Sequence, residues 1–406
     1  MQKTHSFSGV KVDRIISLDI LRGVAVLGIL IMNIQSFSMP SAAYINPSAY
    51  GDLHGLNRWV WILSHLLAGQ KFMSIFSMLF GAGVVIFSEN ATLKGKNCAL
   101  LHYRRMGWLL VFGLIHGYLL WYGDILFTYG LCGMLIFVFR NISPKKLIWI
   151  ASGFFLVPFV LDSLFAFSIP IWPEETLHST MQSWYPDAAY MDHYLAAYRG
   201  NWVEQMEVRV PGTLFMQTGL FFMQTFWRVM SMMLLGMALF RWSILSAQRS
   251  KAFYLRIALI GMLSGFFLSA LGVILNFRQG WSMEFSMFLG KQFNYVGSVG
   301  TALGYVGLVM LMCNSSSLQA IKKIFSAVGR MAFTNYILMT LICTAIFYGH
   351  GLGLFGSVER KIQILIVLGI WSVLMIISPL WLKRFRYGPL EWLWRRLTYG
   401  KLLYRN

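Results

Sequence analysis

Residues 18–37 read LDILRGVAVLGILIMNIQSF, and this segment decides the class of fold. It is almost entirely apolar, with one acidic and one basic side chain near its start. About twenty apolar residues in a helix cross the hydrocarbon core of a bilayer, because each residue adds about 1.5 Å. The segment therefore predicts a membrane-spanning helix.

Similar segments recur along the whole chain. Its 406 residues are 57% hydrophobic and only 12% charged, whereas a soluble protein carries roughly 25% charged residues. This composition excludes an ordinary soluble enzyme, and it also excludes a disordered chain, which needs low hydrophobicity and high charge. We therefore predict an all-α, polytopic membrane bundle of about ten transmembrane helices. The predicted spans are residues 18–37, 70–87, 106–121, 125–139, 147–169, 214–240, 253–275, 287–312, 324–348 and 362–382.

Topology explains the net charge of +19 better than nucleic-acid binding does. Nucleic-acid binders concentrate Lys and Arg on one face, but here most of these residues lie between the apolar segments. With the N-terminus inside, inner segments hold 23 of the 34 basic residues and outer loops hold seven. Cytoplasmic loops carry such an excess, so we predict an even number of spans with both termini in the cytoplasm.

The chain divides into four predicted parts. Residues 1–169 form a half with five spans, 170–210 an acidic and aromatic outer segment, 211–382 a second half with five spans, and 383–406 a basic amphipathic tail. We expect the tail to lie on the inner membrane surface. A polar interruption at residues 121–124 predicts a tight hairpin between two short spans.

Ionisable residues inside spans are functional candidates, because a charge at the bilayer centre costs ~2.5–3.5 kcal/mol on insertion scales. Asp19 and Arg22 lie three residues apart and can pair on one helix face. Asn33, eleven residues after Arg22, returns to nearly the same stripe. The pair either anchors the helix at the membrane interface or forms an anion site in which Arg22 binds phosphate. Arg330, at the start of the ninth span, has the same two interpretations.

His116 lies in the third predicted span, and Asp124 follows directly after the hairpin. A histidine oriented by a carboxylate is a common general base. The alternative is a histidine that only packs helices, since Gly113 and Gly117 predict a close helix contact on this face.

Polar residues also follow one side of the sixth predicted span. Gln217, Gln224 and Arg228 are spaced by seven and four residues, which places them on one stripe of a continuous helix. The stripe either lines a substrate channel or forms hydrogen bonds between helices. Lys71 and Asn335 are further candidates for the channel. The four cysteines are scattered and no HExxH motif is present, so we predict no metal site.

Several short motifs resemble those of the YeiB family of bacterial membrane proteins. The motifs are LDILRGVAVLGIL at 18–30 with Asn33, KF at 71–72, LFGAG at 79–83, IHG at 115–117, GDIL at 123–126, GRMAFTNY at 329–336 and GPLEW at 388–392. The resemblance implies a multi-pass protein of the bacterial inner membrane, with a C-terminal family domain of unknown function.

A second resemblance is to the transmembrane acyltransferase superfamily that includes the lysosomal heparan-α-glucosaminide N-acetyltransferase. It is carried by Asp19, Arg22, Gly23 and Asn33. It implies that acyl-CoA enters from the cytoplasm and that a histidine helps to pass the acyl group to an acceptor on the other side. In that enzyme the histidine follows soon after the first span, where this chain has His54 and His65 without matching flanks. We prefer His116, because it lies within a predicted span with Asp124 nearby, whereas histidines in a loop exposed to water need no special explanation.

The leading hypothesis is a membrane-embedded acyltransferase. Arg22, with Arg228 or Arg330, would hold the phosphates of an acyl-CoA donor, and no tightly bound cofactor is expected. His116, oriented by Asp124, would deprotonate a hydroxyl or amine of a sugar or envelope glycan. The alternatives are a transporter or flippase, and a non-catalytic scaffold or sensor. Besides membrane lipid, small residues on apolar helix faces favour a second copy of the chain as a partner, in a homodimer.

Overall fold

The computed structural model describes residues 14–400, and this range is helical, without a β-strand. The helices are α1 Ile16–Ser38, α2 Ser41–Ile45, α3 Gly55–Ala68, α4 Lys71–Leu93, α5 Cys98–Ile115, α6 Leu126–Ile136, α7 Pro144–Ser168, α8 Glu174–Trp184, α9 Ala188–Arg199, α10 Met206–Gln217, α11 Phe226–Arg241, α12 Lys251–Arg278, α13 Met283–Phe285, α14 Lys291–Asn314, α15 Gln319–Arg330, α16 Ala332–Phe347, α17 Arg360–Arg384 and α18 Pro389–Tyr399. Three π-helical turns add to them, at His116–Leu120, Phe221–Thr225 and Ser286–Gly290. The all-α prediction is confirmed.

Seven helical segments between residues 14 and 400 are long and apolar enough to cross a membrane. They are Ile16–Ser38, Gly55–Leu93, Pro144–Ile171, Met206–Arg241, Lys251–Arg278, Met283–Asn314 and Arg360–Arg384. An eighth is obtained if α15 and α16, which meet at an angle of 80°, count as one broken span. The protein is therefore a helical membrane protein, and the count of ten spans and the cytoplasmic termini stay predictions.

Apolar side chains cover the outside of several long helices. Leu164 and Phe167 of α7 are 60% and 76% exposed, and Leu263 and Phe267 of α12 are 71% and 68% exposed. A soluble domain would bury such residues, whereas lipid tails cover them without cost. These faces are compatible with contact with membrane lipid.

Helix α1 lies against α4, α15, α16 and α17 inside the bundle. Its contact with α15 depends on two glycines: a Cβ on Gly23 would lie 2.0 Å from the carbonyl oxygen of Phe325, and one on Gly329 would lie 1.9 Å from that of Asp19. Only glycine allows backbones to approach this closely. This close contact of α1 and α15 at Gly23 and Gly329, which we call the seam, therefore fixes the Asp19 end of α1 beside Arg330.

The predicted hairpin at residues 121–124 is confirmed, since it joins the π-helical turn after α5 to α6. The predicted close contact at Gly113 is also confirmed, because a Cβ there would lie 2.2 Å from the backbone nitrogen of Phe127. The hairpin and this contact bring the end of α5 and the start of α6 together.

The sixth predicted span is interrupted. Helix α10 ends at Gln217, a π-helical turn covers Phe221–Thr225, and α11 begins only at Phe226. A π-helical turn inserts an extra residue and shifts the register of the side chains that follow. The prediction of one stripe through Gln217, Gln224 and Arg228 assumed a continuous α-helix, and on this point it is wrong.

The segment 170–210, which the sequence predicts to lie outside, contains α8 and α9, and Trp184, Tyr194 and Tyr198 of this segment are buried. The indole nitrogen of Trp184 donates to the carbonyl oxygen of Trp281 at 2.8 Å, and the ring of Tyr198 stacks on Phe355 at 4.5 Å. The tail contains α18, which is amphipathic as predicted. The ends of the chain, 1–13 and 401–406, lie outside the described residues.

Candidate functional site

His116, Asp124 and Thr340 form a buried hydrogen-bonded group, which we call the histidine cluster. The Nδ1 atom of His116 lies 2.8 Å from Asp124 Oδ1, and its Nε2 atom lies 2.9 Å from Thr340 Oγ1. All three residues are buried. The second carboxylate oxygen of Asp124 accepts a hydrogen bond of 2.7 Å from the backbone of Phe127. Asp124 is thus held on both oxygens and orients the imidazole.

The local backbone explains why the imidazole and the carboxylate meet. His116 begins the π-helical turn that ends at Leu120, and the backbone nitrogen of Trp121 donates to its carbonyl oxygen at 2.9 Å. Such single π-turns are rare and are frequent at functional sites. The chain then reverses in the hairpin. This reversal brings Asp124, eight residues after His116, within hydrogen-bond distance of the imidazole.

A small cavity lies beside this cluster. It is lined by Ile29, Leu30, Asn33, Phe37, Trp121, Tyr336, Met339 and Thr340. Its volume is about 10 Å³, close to the smallest space that holds one water molecule. Asn33 and Thr340 therefore share a cavity, although they belong to α1 and α16.

Two polar groups from the cavity wall lack hydrogen-bond partners within residues 14–400. These are the indole nitrogen of Trp121 and the phenol oxygen of Tyr336. Leaving such a buried donor unpaired costs about 1–3 kcal/mol, so most native structures avoid it. Two residues that line the cavity thus carry donors that are free to pair with an acceptor oxygen of a ligand.

Asp19, Arg14, Arg22 and Arg330 gather at the other end of α1, and we call this group the basic end. Asp19 accepts hydrogen bonds from Arg14 and from Arg22, the latter at 3.2 Å, so the predicted pairing of Asp19 with Arg22 is confirmed. The side chain of Arg22 is 30% exposed. Three guanidinium groups face the carboxylates of Asp19 and the nearby Glu391, which leaves an excess of positive charge that a ligand phosphate can neutralise.

Glu391 of the GPLEW motif caps the first turn of α16. Its carboxylate accepts from the backbone nitrogens of Phe333 and Thr334 at 2.8 and 3.1 Å and also from the Thr334 hydroxyl. Such a carboxylate satisfies free N–H groups and favours the positive end of the helix dipole. Burial raises the pKa of Glu391, and the hydrogen bonds from Thr334 partly oppose this shift. The tail thereby stabilises the helix that carries Tyr336 and Thr340.

Lys71 and Arg228 form a separate buried group with their hydrogen-bond partners, the lysine–arginine cluster. Both cations are almost fully buried, at 0% and 1% exposure. Lys71 Nζ donates to His65 O at 3.0 Å and to the side chains of Asn294 and Ser269. Arg228 donates to Tyr295 O at 2.9 Å, and to the hydroxyls of Ser74 and Ser298 at 2.9 and 2.6 Å. The partners are neutral oxygens of α4, α12 and α14 and of the end of α3.

The remaining predicted residues are not joined to the histidine cluster by a described hydrogen bond. Asn335 is fully buried and bonds Val328 O and Ser378 at 3.0 Å each. Gln217 lies near Gly117, and Gln224 lies in the second π-helical turn. His65 stacks on Trp61 at 5.0 Å. His54 is exposed and contacts Asp52 at 3.0 Å.

Sequence reasoning missed Thr340, Trp121 and Tyr336 as members of this site. Thr340 stands 224 residues from His116, within an apolar helix where a threonine is ordinary. The aromatic residues carry no signal either, because 16% of the chain is aromatic. Only the packing of α16 against the hairpin makes them neighbours.

The fold and the buried polar clusters define a polytopic helical membrane protein, and comparison with known proteins gives its family. Over 401 residues the chain is 34% identical to the uncharacterized protein YeiB of Escherichia coli K12, covering 95% of this chain and 96% of YeiB. It is 32% identical to the uncharacterized protein YxaH of Bacillus subtilis 168 over 406 residues, covering 95% and 94%. The chain therefore belongs to the YeiB family.

The family model described as a protein of unknown function, DUF418, matches residues 239–401. This match covers α16 and α18, and therefore Thr340 and Glu391, but it begins after Arg228. A third relative, an uncharacterized 39.9 kDa protein of Bacillus acidopullulyticus, is 27% identical over 403 residues, covering 96% of this chain and 95% of the relative. No solved structure matches the chain significantly.

Proposed function

We propose that the protein is an acyltransferase of the bacterial inner membrane, with both termini in the cytoplasm. The observation that carries this proposal is the histidine cluster, in which a buried imidazole lies between a carboxylate and a hydroxyl beside a small, mostly apolar cavity. A carboxylate-oriented histidine takes a proton from a hydroxyl or amine. The proposed acceptor is a hydroxyl or amine of a sugar or envelope glycan.

The proposed donor is a cytoplasmic acyl-CoA whose phosphates bind the basic end. Arg22 and Asn33 are eleven residues apart on α1, which corresponds to about 16 Å along the helix axis. In acyl-CoA a long flexible arm separates the phosphates from the thioester. Phosphates at Arg22 and a thioester at the cavity are compatible with that molecule. Arg330, beside the Gly23–Gly329 seam, is the second proposed phosphate ligand.

The donor site is tested by binding of radiolabelled acetyl-CoA and palmitoyl-CoA to the detergent-purified protein. Loss of a charged hydrogen bond costs about 1.5–3 kcal/mol, so Arg22→Ala should weaken binding about tenfold to hundredfold. Arg256→Ala is the matched control, because Arg256 is an exposed arginine of α12. Equal affinity of wild type and Arg22→Ala would contradict the donor site, and no binding of either acyl-CoA by wild type would contradict the proposed function.

The lysine–arginine cluster favours a second candidate, a transporter or flippase. Two buried cations bound to neutral oxygens are costly in a membrane and can guide an anionic substrate. This candidate predicts flux of a substrate across proteoliposomes without an acyl donor. Arg228→Met would then reduce flux while His116→Gln left it unchanged.

A further inference from the structure

We propose that Thr340 is the nucleophile that His116 activates, so that the acyl group is carried as an ester on Thr340 Oγ. This inference rests on the proposed acyltransferase function and deepens it. It is drawn from the hydrogen bonds of the imidazole: one nitrogen contacts Asp124 at 2.8 Å and the other contacts Thr340 at 2.9 Å. Both nitrogens of His116 are thus bound to protein groups, and an acceptor has no free nitrogen to meet.

The hydrogen positions follow from the chemistry of the partners. An ionised carboxylate only accepts hydrogen bonds, so His116 Nδ1 carries the hydrogen that is donated to Asp124. Nε2 is then an acceptor, and the Thr340 hydroxyl donates to it. The other acceptor near this hydroxyl is Tyr336 O, at the longer distance of 3.3 Å. Nucleophile, base and orienting carboxylate are linked in the order that activates a hydroxyl.

Two residues with unpaired donors line the same cavity as this hydroxyl. Thr340 lines the cavity together with Trp121 and Tyr336, whose polar hydrogens have no acceptor among residues 14–400. Acyl transfer develops negative charge on the carbonyl oxygen, and catalysts of this reaction supply fixed donors for that oxygen. The indole N–H of Trp121 and the hydroxyl of Tyr336 would serve as these fixed donors. The carbonyl oxygen of the acyl group would in turn give both of them a hydrogen-bond acceptor.

The reaction balances in two half-steps. Thr340 Oγ attacks the thioester carbonyl carbon and its proton passes to His116 Nε2; the C–S bond then breaks, and CoA leaves as the thiol with that proton. In the second half-step the acceptor hydroxyl or amine attacks the Thr340 ester and gives its proton to His116 Nε2. The ester C–O bond breaks and the proton returns to Thr340 Oγ. Donor and acceptor therefore need not occupy the protein together.

This mechanism is tested without knowing the acceptor, by isotope exchange between an acyl-CoA and free CoA. An acyl-enzyme exchanges labelled CoA into unlabelled acetyl-CoA or palmitoyl-CoA in the absence of acceptor, whereas direct transfer requires the acceptor. We expect exchange by the wild-type protein in detergent and an acid-stable adduct of one acyl group on the peptide that contains Thr340. Thr340→Val and His116→Gln should abolish both, and Thr340→Ser should retain them.

A control variant on the same helix tests whether loss of exchange is caused by misfolding. Thr344 lies one turn after Thr340, is also buried, and donates to Leu341 O, so Thr344→Val makes the same chemical change outside the cluster and should leave exchange unaltered. Binding of labelled acyl-CoA to each variant shows that the donor site is intact. Exchange that survives Thr340→Val, or a wild-type protein that binds acyl-CoA without exchange, would overturn the Thr340 proposal alone. A wild-type protein that binds neither acyl-CoA overturns the acyltransferase proposal and this one with it.

Discussion

The histidine cluster and the lysine–arginine cluster are both buried in the bundle, but they differ in how their hydrogen bonds are filled. Lys71 and Arg228 make six hydrogen bonds to neutral oxygens on surrounding helices, and only the Nε atom of Arg228 lacks a partner among residues 14–400. The histidine cluster contains a carboxylate, and the cavity beside it has two donors without acceptors among the described residues. Polar groups that hold helices together gain by making most of their possible hydrogen bonds to the protein. Groups that bind a ligand leave donors unpaired for it.

The comparison predicts that the two clusters respond oppositely to mutation. Changes in the lysine–arginine cluster should reduce the free energy of unfolding, because they remove hydrogen bonds that join α4 and α11 to neighbouring helices. Changes in the histidine cluster should reduce turnover and leave the fold nearly intact.

The largest expected effect is on activity, from His116→Gln. Removal of a general base lowers the rate by about 10²- to 10⁴-fold, measured as acyl exchange per amount of folded protein. His102→Gln is the matched control, since His102 is also buried and bonds a backbone carbonyl, that of Gly133, at 2.7 Å. A similar loss of exchange in both variants would remove the distinction between catalytic and packing histidines.

The next effect is on stability, from Arg228→Ala. The change leaves Tyr295 O and two hydroxyls without their donor and opens a cavity, so the free energy of unfolding should fall by about 2–5 kcal/mol. Arg256→Ala, at an exposed position of α12, should change it by less than about 0.5 kcal/mol. Denaturation in detergent measures both. An Arg228→Ala protein of wild-type stability without acyl exchange would break the comparison and assign Arg228 to the active site.

A smaller effect is expected from Gly329→Ala at the seam between α1 and α15. The added methyl group would meet Asp19 O at 1.9 Å, and such overpacking costs about 1–3 kcal/mol. Gly83 of α4 has no heavy atom near the position of a Cβ, so Gly83→Ala should not destabilise the protein. Since the seam positions Arg22, acyl-CoA affinity should fall with Gly329→Ala and not with Gly83→Ala. Unchanged affinity would show that Arg22 binds independently of the seam.

The smallest expected effect concerns pH. Burial raises the pKa of Glu391 in the folded protein, so the native state binds this proton more tightly than the unfolded chain does. Stability should therefore decrease as the pH rises from the unfolded pKa through the raised folded pKa. Glu391→Gln should remove this part of the pH dependence of thermal unfolding. A pH profile that is identical in wild type and Glu391→Gln would contradict the shift.

The sequence predicted the features that depend on local spacing. The pair of Asp19 and Arg22 follows from a three-residue interval on one helix, and the meeting of His116 with Asp124 follows from a short hairpin. Contacts between distant helices were not predictable in this way, as Thr340 shows. The π-helical turn at Phe221–Thr225 also escaped detection, because no residue type in FFMQT distinguishes it from an α-helix. It shifts the register before Arg228, whose hydrogen bonds lie in the lysine–arginine cluster.

The cap formed by Glu391 also constrains the order in which the protein is assembled. Glu391 follows α16 in the sequence, and a chain emerges from the ribosome N-terminal part first. Helix α16 is therefore synthesised well before the carboxylate that satisfies its first backbone N–H groups. Until Glu391 has been synthesised, the helix that carries Thr340 lacks this cap. A segment that is made after α16 thus completes a helix in the interior of the bundle.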